Sequence, residues 1–178
     1  MDGTDRMDRK VDNGRGDGEP GNGCYFARPA ERLVLEGCRL WSAGAYTGRD
    51  SFRETARLLY EELLDRPRGR LALAELSAFV SVLGQCAACP LKGFAPGVHH
   101  VTRDEVLLLG LLAGIQHGDD PVISACLDKL SCASRCEEVA TAAASFAITL
   151  RSFGQRLAPI PLHVVDDILV RSRSVTIH

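Results

Sequence analysis

Apolar residues recur at helical spacing along most of the chain, and no segment alternates apolar and polar with the period of two that marks a half-buried strand. Pro29 suits the first turn of a helix, where its missing N–H would be unpaired in any case. Leu33, Val34, Leu40 and Trp41 follow at helical intervals, and Gly44 offers a stop. Ser51 with Glu54 reads as a capping box for a second helix, with Phe52, Ala56, Leu59, Tyr60 and Leu63 as its buried stripe and Pro67 as its end. A third helix carries Leu73, Leu76, Val80 and Leu83 and ends at Gly84.

Residues 84–101, GQCAACPLKGFAPGVHHV, break the periodicity with glycines and prolines. A connection of this length in a compact domain needs a function or an internal tether. Thr102 and Glu105 then cap a fourth helix over 103–117 whose body, VLLLGLLAGI, is apolar on every side, the mark of a helix surrounded by others. Asp119 and Pro121 open a fifth helix with Ile123, Cys126, Leu127 and Leu130 on one face. Ser134 with Glu137 opens a sixth, carrying Val139, Ala143, Phe146, Leu150 and Phe153. Pro159 and Pro161 lead into a short last helix with Val164, Val165, Ile168 and Leu169. The pattern predicts an all-α fold, an irregular bundle of about seven helices around a buried central helix.

The first residues differ in kind. Residues 1–23 hold six glycines, six acids and four bases and almost nothing apolar, too little to offset the entropy of ordering. The expected organisation is therefore a disordered tail over 1–27 and a single helical domain over 28–178. The formal charge of −2 belongs to the tail, which leaves 17 charges of each sign in the rest. A neutral domain gives no overall electrostatic reason to meet nucleic acid or an anionic membrane. The longest apolar run, Val106 to Ile115, is about half of what spanning a bilayer takes, and the N-terminal stretch has no apolar core of a secretory signal. These features predict a cytoplasmic protein, and an arginine-rich, asparagine-poor composition fits a GC-rich bacterial genome.

Seven cysteines in a chain without a visible export signal argue for thiols or metal ligands over disulfides. Cys86 and Cys89 form a C-x-x-C pair in the long connection, and Cys132 and Cys136 a C-x3-C pair where the fifth helix gives way to the sixth. Tetrahedral zinc takes four such ligands, commonly two from each of two short loops, and a metal would tether the connection. His99 and His100 lie between the pairs and are further candidate ligands. Iron–sulfur ligation is less favoured, because the tight cysteine run of ferredoxins is missing. Competing with the metal is simple burial of small apolar thiols. Thiol redox chemistry at Cys86 and Cys89 is a third reading, without the βαβ setting that usually accompanies it. Cys38 and Cys126 fall on helical faces as packing residues.

Other groups read as ordinary structure. His163 with Asp166 and Asp167 lies in a first helical turn, where acids complement the dipole. His117, Gly118 and Asp119 read as helix punctuation. Arg49, Arg53 and Arg57 form a ridge interleaved with Asp50, Glu54 and Glu61, the pattern of a salt-bridged surface. No phosphate-cradling glycine loop, nucleophile elbow or H-E-x-x-H is present. The leading expectation is a regulatory or adaptor protein with a protein partner and a structural zinc or thiol cluster. The alternatives are an enzyme or redox-active accessory protein using the cysteines of the 84–101 loop and, on the arginine ridge alone, a helical nucleic-acid-binding protein.

Overall fold

The computed structural model describes residues 25–85 and 91–173. A 3-10 turn, Tyr25–Ala27, precedes seven α-helices among the described residues: α1 Pro29–Thr47, α2 Asp50–Leu64, α3 Arg66–Gln85, α4 Arg103–His117, α5 Asp120–Leu130, α6 Cys136–Ser152 and α7 Leu162–Arg173. No strand occurs among the described residues, and the all-α bundle is the one the periodicity predicts. Tyr25 and Phe26, which fall within the expected 1–27 tail, pack against the core.

α2 packs between α1 and α3, α3 lies on α6, α6 on α4, α4 on α5, and α5 on α7. The centre is α4, with every residue from Leu107 to Gly114 buried. Its capping box forms as the sequence predicts: Thr102 Oγ1 accepts from the Glu105 N–H, and Glu105 Oε2 accepts from the Thr102 N–H. Gly118, at φ 71°, takes the left-handed position that ends the helix. No helix is long and apolar enough to cross a membrane among the described residues.

Several ends differ from expectation, each for a local reason. α1 continues through Gly44 to Thr47, and Gly48 supplies the left-handed cap. Gly44 is instead buried where α2 crosses, with Arg53 and Phe52 close to where a side chain would begin. The capping boxes expected at Ser51 and Ser134 do not form: α2 and α6 start after Arg49 and Arg135, with no side-chain cap. Glu54 bonds Arg57 instead. Pro67 lies in the first turn of α3 and does not close α2, which stops at Asp65. Asp65 has φ 70° and ψ 168°, a conformation close to glycine-only, and its carboxylate accepts from the Arg68 N–H. The same residue thus ends one helix and caps the next.

Close helix approach is written into two glycines. A Cβ on Gly69 would lie 2.7 Å from the Tyr60 carbonyl oxygen, so α2 and α3 meet backbone to backbone there. Gly37 leaves room for the fully buried Tyr60 ring, whose hydroxyl donates to the Leu33 carbonyl at 3.0 Å. Burial raises the Tyr60 pKa well above its ordinary value.

α3 and α6 run antiparallel in a register that three contacts define. Arg68 stacks on the Phe153 ring, Glu75 accepts from Ser145 Oγ at 2.6 Å, and Gln85 Oε1 accepts from Arg135 at 2.8 Å. Each advance along α3 is matched by a retreat of about the same length along α6, and Phe79 stacks on Phe146 between them. At the other end of the chain, Glu31 is almost wholly buried, and its Oε1 accepts from the Ala158 N–H at 2.8 Å.

Candidate cysteine site and the loop that carries it

The antiparallel register sets the end of α3 beside the start of α6. Gln85 is the last residue of α3 and immediately precedes Cys86; its side chain meets Arg135, which immediately precedes Cys136. Cys86 and Cys89 lie outside the described residues. Cys132 and Cys136 are both half-buried at the start of α6. Cys132 Sγ is 3.3 Å from Ser134 Oγ, and the Cys132 carbonyl accepts from the Arg135 N–H to close the turn.

His99 and His100 occupy a different setting. The His99 ring meets the Phe26 ring edge-on, with centroids 5.8 Å apart, and the His100 ring tilts against Phe94 at 6.4 Å. Among the described residues no three His, Cys, Asp or Glu side chains group to hold a metal, so Cys132 and Cys136 are not joined there by either histidine. The histidines belong to the tether of the loop.

That tether was not evident in the sequence, which offered a metal as the only visible anchor for residues 84–101. Its hub is Arg39, 4% exposed on α1. The guanidinium donates to both Glu105 oxygens, at 2.6 and 2.9 Å, and to the carbonyls of Val98 and His100, each at 2.6 Å. Phe26 and Phe94 lie over it at 4.9 and 5.9 Å. Burial lowers the Arg39 pKa, but the bond to Glu105 and its charge outweigh that and leave the pKa raised. Glu36 accepts from Arg39 and from the Gly97 N–H, Asp104 from the Lys92 N–H, and the Lys92 carbonyl from Thr102 Oγ1. The sequence signal was an arginine four residues after Leu35, on the face of α1 that otherwise buries apolar residues.

The same loop forms one wall of an open groove of about 770 Å³ against α1 and α2, with Phe26, Leu40, Phe52, Leu58 and Pro96 among its apolar lining and Arg32, Glu62 and His99 among its polar groups. Elsewhere the arginine ridge of α2 is ion-paired: Arg57 lies between Glu54 and Glu61, and Arg53 faces Asp50. Cys38 and Cys126 are buried packing thiols, each pushed up to about 12 by burial.

Comparison with protein-family models, with curated proteins and with solved structures gave no match.

Proposed function

We propose that the chain is a regulatory or adaptor protein whose C-x-x-C and C-x3-C pairs hold one structural zinc ion at the junction of α3 and α6. The observation that supports this reading is the Gln85–Arg135 hydrogen bond, 2.8 Å long. It brings the residue before Cys86 against the residue before Cys136, as a metal shared by the two pairs would require. Four thiolates suit zinc, with two- and three-residue gaps that allow each short segment to supply two ligands. Zinc there would supply no reaction chemistry; it would cross-link the end of α3 to the start of α6. The adaptor role rests on the open groove beside the tethered loop, whose apolar lining and sparse polar groups suit a protein partner.

The test is metal analysis of reduced, full-length protein purified without a histidine tag. About one zinc per chain is expected, with C86S and C136S each releasing it. Cobalt substitution should give the intense near-ultraviolet thiolate charge-transfer absorption of a tetrahedral sulfur site. Protein that carries no zinc and takes up neither zinc nor cobalt would overturn the proposal.

A further inference from the structure

We propose that the cavity between the ends of α4 and α6 binds a phosphate-type oxyanion. The cavity has a volume of about 310 Å³ and is lined by Ile115, Gln116, His117, Gly118, Arg151 and Arg156. Its lining residues include two arginines and a histidine and no acid.

The frame around these groups is built. The buried Gln116 side chain makes three bonds: Nε2 donates to the carbonyls of Ala147 and Gln155, and Oε1 accepts from the Leu157 N–H. The His117 ring lies with Nε2 2.9 Å from the Leu157 carbonyl. A carbonyl only accepts, so Nε2 carries the proton. Residues 155 and 157 are thereby held on both sides of Arg156, which fixes where that side chain starts. Arg151 donates to the Gln116 carbonyl at 2.6 Å, which removes one acceptor of the helix end from the cavity.

The Arg156 guanidinium has no ion pair or hydrogen bond among the described residues, whereas most surface arginines of α2 and α3 face a carboxylate. The nearest acids in sequence, Asp119 and Asp120, do not line the cavity, and Asp119 accepts from the Val122 N–H as the cap of α5. Arg151 and Arg156 both line the cavity, so an anion held there would gain from both charges. Their forked donors match the oxygens of a phosphate, and the volume, near the lower end for small-molecule sites, leaves room for a small organic group on it.

The experiment is calorimetric titration of the full chain at low ionic strength with inorganic phosphate, glycerol phosphate and, at matched ionic strength, chloride. Saturable one-to-one binding of the phosphates is expected, with none for chloride. R156A should weaken binding roughly tenfold or more, the scale of one charged hydrogen-bonding partner, while R49A, at the exposed residue before α2, should leave it unchanged. Tighter binding of glycerol phosphate than of phosphate would mark a phosphomonoester as the ligand, and the reverse order the free anion. Absence of saturable binding by either phosphate, or equal binding by R156A, would overturn the proposal. Neither result bears on zinc at the cysteines.

Discussion

Arg39 and Glu105 lie 66 positions apart in the sequence and form a buried two-pronged ion pair, with donor–acceptor distances of 2.6 and 2.9 Å. The Glu105 oxygen that accepts the longer bond also accepts from the Thr102 N–H, so one carboxylate both caps the central helix and clamps α1 to it. Removing one member of such a pair strands the other in the interior, which is far costlier than replacing both. Glu105→Ala should therefore destabilise the domain by about 3–5 kcal/mol in urea unfolding. Glu54→Ala, at an exposed pair on α2, should leave the urea midpoint almost where it is. Similar midpoints for both variants would show that the clamp contributes little.

The two glycines of α3 should respond to alanine with opposite signs. At Gly69 the new methyl group would meet the backbone of Tyr60 and Glu61 within 3 Å, which rigid helix backbones cannot yield. Overpacking of this kind costs about 1–3 kcal/mol and outweighs the helix propensity that alanine gains. At Gly84 nothing among the described residues lies within 4 Å, and alanine should stabilise by about 0.5–1 kcal/mol. Thermal melts of both variants check the pair, and a stabilised Gly69→Ala would mean that α2 and α3 do not meet there.

Burial of the central helix gives a coarser expectation. Leu109 is 1% exposed, whereas Leu71 on α3 is 51% exposed. Leu109→Asp would place an unpaired carboxylate in the core and should unfold the domain, while Leu71→Asp should shift stability by no more than about 0.5 kcal/mol. A soluble, cooperatively melting Leu109→Asp protein would contradict the position of α4.

Cys38 and Cys126 should stay protonated and unreactive in the folded chain. Iodoacetamide at pH 8 should label neither until denaturant is added, as read by peptide mass spectrometry. Their folded pKa values, raised by burial to about 12 from an ordinary 9.0, mean that the fold holds these protons more tightly than the unfolded chain does. Their contribution to stability is complete below about pH 9 and is lost as pH rises toward about 12. Tyr60 acts in the same sense. Rapid native-state labelling of either thiol, or stability rising across that window, would contradict this.

The helices were legible because burial repeats every three to four residues, and long apolar stripes survive errors of one position. α3 illustrates the tolerance: the buried face is Ala72, Leu76, Phe79 and Leu83, so the expected Leu73 and Val80 are only half-buried neighbours. Caps were less legible. Thr102 and Glu105 formed their box because Glu105 faces Arg39 in a protected interior, whereas Glu54 lies in the open beside Arg57 and bonds it instead. The loop tether was hidden because it depends on residues 59 to 66 positions apart, a separation that no local pattern encodes. The cysteine spacing was visible at once; the antiparallel register of α3 and α6, which sets Gln85 beside Arg135, was not.

The bond between Glu31 and the Ala158 N–H, 127 positions away, has a bearing on how the protein is made. On a translating ribosome, α1 emerges long before the segment that receives its carboxylate, so α1 to α3 must wait with one polar group of their interface still hydrated. The domain closes only when the connection after α6 leaves the exit tunnel. A nascent chain stalled before that point would hold its first helices in a looser, protease-sensitive state, and release of the segment after α6 would act as the latch.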